Sequence, residues 1–303
     1  MGLYNEKLKK WGDTMSRDIF NAECESRIKL AKEVASKCPV EYGNEIIIVG
    51  SVSRNLADED SDIEVEFLVD TLIPLEDRIN WVKQIGGTEI IPYGEPIGDG
   101  SVWLIFKYKG CWIEAGWQTI SRMQENIELI IKGKVNSHDK LILGSILKDA
   151  ISIRNNNIVS DLQKRLDTYP ATLQKDIILS TIKPWSIDLA IKGKKALSKR
   201  NDKIPFLERM IPDIHRILRI LYAINKQWET DWKWTNYLVK NLKVKPDNLE
   251  ERMNSIISVS DIIKSLNNCF ELIKDTLALV PKELEINKEI TDIIRIIDTT
   301  VKI

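Results

Sequence analysis

The sequence predicts an α+β protein: a small mixed β-sheet with flanking helices over residues 1–120, then an all-helical domain over residues 121–303. A length of 303 residues suggests two domains, on a prior of ~150 residues per domain. Strand signals are concentrated at 46–49, 62–67 and 102–117, where β-branched or alternating patterns occur. From Ser121 onward helical periodicity dominates. The two regions are therefore expected to fold as different kinds of domain.

The elements of the first domain follow from their patterns and from the residues that end them. A helix over residues 3–37 is predicted to end at Cys38-Pro39, because proline disfavours helix at the preceding residue. An apolar strand at 46–49 is followed by a turn opening with Gly50 and Ser51, and then by the acidic strand 62–67. The remaining predictions are a helix at 74–85, a short strand at 89–92, a loop at 93–100, and a hairpin of strands 102–108 and 111–117 turning at Lys109-Gly110.

The second domain is predicted to be punctuated by its prolines, which end or kink helices. The predicted helices are 122–132, 141–153, 160–166, 173–199, 204–227, 233–239, 248–253, 258–279 and 282–299.

The acidic strand carries the clearest chemical signal. Asp62, Glu64 and Glu66 alternate with apolar residues, so they share one face of the strand, at intervals of roughly 6–7 Å. Like charges in a row are unfavourable unless a cation lies among them. Carboxylate oxygens are the ligands of hard cations, and two-metal sites hold their ions about 3.5–4 Å apart. The pattern therefore predicts a pair of Mg²⁺ ions at this strand.

The turn before that strand suits a phosphate. Gly50 lets the backbone approach an anion closely, and Ser51 adds a hydroxyl donor. Backbone N–H groups that open a following helix would point at the same anion. A strand, a Gly-Ser turn and an acidic strand in this order predict a nucleoside-triphosphate site with its metals.

These residues also carry a family resemblance. Gly50-Ser51 followed by Asp60-Ser61-Asp62-Ile63-Glu64 resembles the signature of the polymerase-β-type nucleotidyltransferases. The residues of this motif are most similar to those of the antibiotic-modifying branch, such as the kanamycin and lincosamide nucleotidyltransferases. In that branch an arginine often occupies the position of Arg54. The motifs cover roughly residues 45–117.

The resemblance implies a function and a set of site residues. A third metal-binding carboxylate is expected from a later strand of the same sheet, and Glu114 fits that place. Asp62, Glu64 and Glu114 would then bind two Mg²⁺ ions, while Gly50, Ser51 and Arg54 hold the triphosphate of ATP or another NTP. An acceptor hydroxyl would attack the α-phosphorus and release pyrophosphate, with the ligands bound in a cleft between the domains.

Several residues near the motif have alternative interpretations. Glu66 competes with Glu114 for the metals but is expected to lie too deep or too distant. Ser61, a candidate for cofactor binding, and Asp60 are expected chiefly to shape the turn. Arg54 is either a triphosphate ligand or a surface arginine. The alternative for Asp62 and Glu64 is a solvated strand face, which does not explain the preceding Gly-Ser turn.

The helical domain offers weaker candidates. Lys233 is a candidate phosphate contact, and the neighbouring tryptophans, Trp228, Trp232 and Trp234, either stack on a ligand ring or pack in the core. Asp188 and Glu208 are candidates for a general base, as implied by related antibiotic-modifying enzymes, or else form salt bridges on helix faces. His215 is a further candidate base or a helix histidine with a structural partner.

Composition excludes several classes. Cys24, Cys38, Cys111 and Cys269 are scattered without a C-x-x-C pair, which argues against a zinc site or a disulfide scaffold. No apolar run approaches the ~20 residues of a membrane helix, and the N-terminus lacks the apolar core of a signal peptide, so a cytoplasmic protein is expected. Residues 1–140 carry a net charge of −7 and residues 141–303 carry +6, without a basic stripe that would indicate a nucleic-acid groove.

Three functions remain open on the sequence alone. The first is transfer of a nucleoside monophosphate to a small hydroxylated molecule, such as an aminoglycoside or lincosamide. The second is transfer to a protein or RNA, as in antitoxin-type nucleotidyltransferases. The third is a nucleotide-binding module without catalysis. The sequence does not fix the oligomeric state, for which a homodimer is retained as a candidate.

Overall fold

The computed structural model describes residues 20–93, 96 and 98–301, and it confirms the predicted α+β fold. Residues 3–19 of the first predicted helix, and residues 94, 95 and 97 of the predicted loop, lie outside the described part. The elements in chain order are α1 (Ala22–Ser36), β1 (Glu45–Ile48), α2 (Gly50–Ser53), β2 (Ile63–Val69), α3 (Leu75–Ile85), β3 (Thr88–Tyr93), β4 (Val102–Tyr108), β5 (Cys111–Thr119), α4 (Ile120–Ile131), α5 (His138–Asp149), β6 (Ile151–Arg154), α6 (Ile158–Arg165), α7 (Ala171–Ile182), α8 (Asp188–Arg200), α9 (Lys203–Ile224), α10 (Thr235–Asn241), α11 (Leu249–Ile257), α12 (Ile262–Ala278) and α13 (Asn287–Val301), with short 3₁₀ helices at Val40–Tyr42, Lys183–Ser186, Trp232–Trp234 and Lys282–Leu284.

The chain divides into two compact units. The first unit comprises the chain as far as Glu125 together with Ile146–Gln163, and the second comprises Asn126–Ser145 and the chain from Lys164 onward. The divisions fall inside α4, α5 and α6. The functional division of the chain at residue 120 stays a prediction.

The first unit contains a six-stranded mixed sheet in the order β3-β4-β5-β2-β1-β6. Strands β2 and β5 are parallel, and the other neighbouring pairs are antiparallel. Parallel neighbours need a long crossover, which here is the chain from α3 through β4. The arrangement places the acidic strand β2 at the centre of the sheet, beside the strand that carries Glu114.

One face of the sheet packs on the apolar core of this unit. Phe67 and Trp117 stack with ring centroids 4.8 Å apart, and Trp81 of α3 meets both rings edge-on. The indole N–H of Trp117 donates to the carbonyl of Tyr42, at 3.0 Å, so its polar atom is satisfied although the side chain is fully buried. Because side chains alternate along a strand, burying this face leaves the acidic side chains on the other face.

The sequence did not predict β6. The predicted helix 141–153 is instead α5 followed by a four-residue strand that pairs with β1. Arg154, at the end of β6, donates from its two terminal nitrogens to the carbonyls of Ala35, Cys38, Pro39 and Gly43. Pairing with β1 and the hydrogen bonds of Arg154 to the backbone at and after the end of α1 outweigh the helical pattern of this segment.

Two prolines have different effects on the predicted helices of the second unit. The predicted helix 173–199 divides into α7, a 3₁₀ turn and α8, because Pro184 lacks an N–H and cannot continue the hydrogen-bond ladder. Pro212, by contrast, lies inside the continuous helix α9. The described part of the second unit is helical, and none of the described helices combines the length and the apolar composition needed to span a membrane.

The second unit buries an ionic cluster among its helices. Asp213 of α9 is fully buried and accepts hydrogen bonds from the Trp185 indole at 2.8 Å and from Arg216 at 2.6 Å. Lys194 of α8 also donates to its carboxylate. Because a buried charge is tolerated only when it is paired, this cluster ties α8 and the Trp185 segment to α9.

Candidate functional site

Three acidic side chains converge on the face of the sheet opposite the apolar core. Asp62 lies directly before β2, Glu64 lies within β2, and Glu114 is the in-register partner of Glu64 on the parallel strand β5. One carboxylate oxygen from each residue lies within 4.8 Å of the others, and all three residues are half-buried. The structure thus brings together the residues that the sequence singled out as metal ligands.

Gly50 lies against this cluster. Its φ of 68° is in the left-handed region, which glycine adopts without steric cost. A β-carbon at this position would be 1.9 Å from Oε2 of Glu64, so no side chain fits while the Glu64 carboxylate stays in place. The N–H of Val49 donates to the Glu64 carbonyl at 3.0 Å. Ser51 follows as a buried residue at the start of α2.

A buried arginine fixes the loop that leads to Asp62. Arg27 of α1 donates from Nε to the Ser61 carbonyl, at 2.8 Å, and from a terminal nitrogen to the Glu59 carbonyl, at 3.0 Å. Ser61 is the residue before Asp62, and its hydroxyl donates to the Asp58 carboxylate at 2.7 Å. Ser61 therefore shapes the turn in this structure, as one interpretation of the sequence expected, and its cofactor contact stays a prediction.

Sequence reasoning missed Arg27, although a signal was present. Arg27 lies on the buried face of α1 with Cys24, Ala31 and Val34, at spacings of three and four residues. A charged residue within such an apolar stripe must find a partner, because an unpaired buried charge is costly.

Arg54 has a partner within the first unit. Its side chain is buried, and Nε donates to Oδ2 of Asp149 at 2.9 Å. Asp149 is the last residue of α5, and no sequence pattern predicted this pair. The predicted contact of Arg54 with a triphosphate remains a prediction that has to accommodate this ion pair.

Glu66 lies outside the group of three acids, two residues after Glu64 on β2. Its in-register neighbours are Ile47 on β1 and Gly116 on β5. Burial, together with the negative charges of Asp99 and Glu64, raises the pKa of its carboxyl to about 8. A carboxyl in this state is a poor ligand for a cation until it loses its proton, which agrees with the predicted preference for Glu114.

The candidates in the second unit have other partners. Lys233 is exposed, and its ammonium lies 5.5 Å from the centre of the Trp234 ring. Trp228 is buried, and its N–H donates to the Leu166 carbonyl at 2.9 Å. Asp188 forms an exposed ion pair with Lys192 one helical turn away, and Glu208 is exposed. Their proposed roles in binding or proton transfer remain predictions.

The two histidines of the chain enclose a tryptophan. The rings of His138 and His215 each stack on the Trp232 ring, with centroids 4.0 Å and 4.1 Å away. Nδ1 of His138 is 2.8 Å from the buried Glu229 carboxylate. Burial lowers the pKa of His215, with further lowering by the charges of His138 and Arg216. Trp232 therefore already stacks against two rings of the protein itself.

The four cysteines are free thiols, and three of them are buried. Burial is the main cause that raises the pKa of the Cys24 thiol, and it raises that of Cys38 to about 12. Thiols in this state are unreactive, as expected of structural residues.

Comparisons with known proteins add little to this picture. No protein-family model matches the chain, and no curated protein matches it. One similar solved structure is a nucleotidyltransferase-like protein from Exiguobacterium sibiricum 255-15, with 9% identity and a TM-score of 0.39, over 91% of this chain and 89% of that chain.

Proposed function

We propose that this protein is a nucleotidyltransferase that transfers a nucleoside monophosphate from a nucleoside triphosphate to the hydroxyl of a small molecule and releases pyrophosphate. The observation that carries the proposal is the convergence of Asp62, Glu64 and Glu114 beside Gly50. ATP is the expected donor, and an aminoglycoside or a lincosamide is the acceptor class that the sequence resemblance implies.

The three carboxylates fit a divalent metal site. Their oxygens lie within 4.8 Å of one another, and such close like charges are stabilised by a shared cation. Oxygen ligands from several carboxylates are typical of Mg²⁺. Two Mg²⁺ ions held there would lower the pKa of the acceptor hydroxyl and offset the charge that develops during phosphoryl transfer.

The protein groups around the acids perform the positioning. Gly50 and Ser51 are proposed to hold the β- and γ-phosphates, because they open α2 directly after β1 and a glycine lets the backbone approach an anion closely. Arg27 holds the backbone of the loop before Asp62, and the β2–β5 register holds Glu64 opposite Glu114. Fixed positions of this kind favour transfer because the reacting groups are already aligned.

The test is pyrophosphate release from Mg·ATP in the presence of aminoglycosides, lincosamides or tRNA. We expect one acceptor to stimulate release and Asp62→Asn to lower it by about 100-fold or more, in the range typical of lost electrostatic stabilisation. Asp70→Asn is the matched control, because Asp70 is an exposed acid just beyond the other end of β2. Release that is equal in wild type and Asp62→Asn would contradict the proposal. Release with tRNA alone would favour the nucleic-acid alternative.

A further inference from the structure

A surface of exposed and half-buried apolar side chains continues from the acidic cluster across the outer strands of the sheet. We call it the sheet-face platform, and its residues are Ile91 and Tyr93 of β3, Trp103 and Ile105 of β4, and Trp112 of β5. Ile105 is the in-register partner of Glu114, and Ile91 is the partner of Ile105, so they share the face of the acids. Tyr93 pairs with Trp103 in the next row of the same face.

Three of the five platform side chains are exposed although they are large and apolar. Tyr93 is 57% exposed, Ile91 49% and Trp112 36%. The alternate residues of β4, such as Leu104 and Phe106, are fully buried on the other face. Contiguous exposed apolar surface beside polar groups is typical of a binding site.

The Trp103 ring is held in a fixed orientation. A β-carbon on its cross-strand neighbour Gly116 would be 2.9 Å from the indole, so the ring lies directly on bare backbone of β5. The indole N–H donates to the Ser101 hydroxyl at 2.7 Å, and that hydroxyl donates to the Asp99 carboxylate at 2.6 Å. A ring that is already fixed loses little conformational entropy when a ligand stacks on it.

The order of the strands places this surface on the side of the acids from which the acceptor, and not the nucleotide, is expected to approach. Gly50 follows β1, which borders β2 on the side opposite β5. If the phosphates lie at Gly50, the leaving pyrophosphate departs on the β1 side of the acids. Attacking and leaving oxygens lie roughly in line in phosphoryl transfer, so the acceptor approaches from the side of β5, β4 and β3. The sheet-face platform occupies that side.

We infer that the sheet-face platform binds the acceptor, and that the acceptor is a neutral or cationic hydroxylated molecule with a flat, apolar ring. This inference rests on the proposed nucleotidyl transfer, and it departs from the acceptor that the sequence resemblance implies, because aminoglycosides and lincosamides contain no flat, apolar ring. Trp103 and Tyr93 provide stacking surface near Glu114, whereas the Trp112 ring already has the Lys107 ammonium 5.2 Å from its centre. The negatively charged acids that share the face, Glu64 and Glu114, repel a polyanion such as RNA.

Binding of two matched glucosides tests this inference without requiring catalysis. The probes are 4-nitrophenyl β-glucoside, which has a flat ring, and methyl β-glucoside, which has the same sugar without it. We expect calorimetry to show at least fivefold tighter binding of the nitrophenyl compound. Trp103→Ala is expected to abolish the preference, and Tyr93→Ala, a change at an exposed position, to reduce it without affecting folding. Leu189→Ala, at a 78% exposed apolar residue of the second unit, is the control.

Several outcomes would overturn the inference. Equal binding of the two glucosides, a preference that survives Trp103→Ala, or tighter binding of tRNA than of either glucoside would each do so. A sedimentation change in Tyr93→Ala would instead assign the platform to contact between copies of the chain. Because binding is measured without ATP, a ring preference in a protein that releases no pyrophosphate would contradict the transferase proposal and leave the ring-binding surface standing.

Discussion

Replacement of Gly50 by alanine separates the stability of the fold from the geometry of the acidic cluster. An alanine at a φ of 68° is strained by about 1–2 kcal/mol, the usual penalty of the left-handed region for a residue with a β-carbon. The new methyl group would also be 1.9 Å from Oε2 of Glu64. Because that oxygen is at the end of a flexible side chain, Glu64 relieves the overlap by rotating its carboxylate away from Asp62 and Glu114.

The loss of stability in Gly50→Ala should therefore be little more than the backbone strain energy, whereas the loss of metal binding and of activity should be large. We expect the free energy of unfolding in urea to fall by about 1–2 kcal/mol. We expect the affinity for Mn²⁺, followed by electron paramagnetic resonance, to fall about 10–100-fold, as for the loss of a group that orients a metal ligand. Pyrophosphate release from Mg·ATP should fall with it.

Gly86→Ala is the matched control for this experiment. Gly86 also has a positive φ, 96°, but a β-carbon there meets nothing within 4 Å. The two variants should lose similar stability, and only Gly50→Ala should lose Mn²⁺ affinity. Equal Mn²⁺ affinities in Gly50→Ala, Gly86→Ala and wild type would refute the claim that Gly50 sets the position of the Glu64 carboxylate.

Three further predictions concern positioning, stability and pH. Arg27→Ala should weaken Mn²⁺ binding about tenfold, because the loop before Asp62 loses two hydrogen bonds to its backbone. Arg27→Lys should restore part of that affinity. Unchanged Mn²⁺ affinity of Arg27→Ala in calorimetric titrations would count against this role. Arg154→Ala should lower the free energy of unfolding in urea by about 3 kcal/mol, because it removes charged hydrogen bonds to four carbonyls. Arg165→Ala removes a surface ion pair and should lower it by less than about 1 kcal/mol. The folded-state pKa of His215 is below its ordinary value of about 6.5, so its contribution to stability is present above that pH and is lost as pH falls through the folded-state pKa. Wild type should lose more stability than His215→Gln between pH 7.5 and pH 5, and equal losses would contradict the assignment.

The sequence predicted those parts of the fold whose causes are local. The alternation from Asp62 to Phe67 predicts a strand with one acidic and one apolar face, and β2 has these two faces. The Lys109-Gly110 turn requires positive φ at both residues, and both have it. The predicted proximity of Glu114 to the other two acids depended on the hairpin pairing beside the acidic strand, which the parallel β2–β5 register provides.

The sequence could not predict features that depend on distant partners. Arg27 binds a carbonyl 34 residues away, Arg54 pairs with an acid 95 residues away, and His138 contacts an acid 91 residues away. No local pattern encodes which of many charged residues will meet. The strand β6 was missed for the same reason, since four residues without strong periodicity form a strand only because β1 offers a free edge.

The central claim is that carboxylates from two adjacent strands form one divalent metal site. Calorimetric titration of the protein with Mn²⁺ tests it directly, using Glu114→Gln because Glu114 is the member of the cluster that lies on β5. The account predicts that wild type binds Mn²⁺, that Glu114→Gln and Asp62→Asn weaken binding about tenfold or more, and that Asp70→Asn binds like wild type. If Glu114→Gln binds Mn²⁺ as tightly as wild type, the three acids do not share a metal and the proposed chemistry loses its basis.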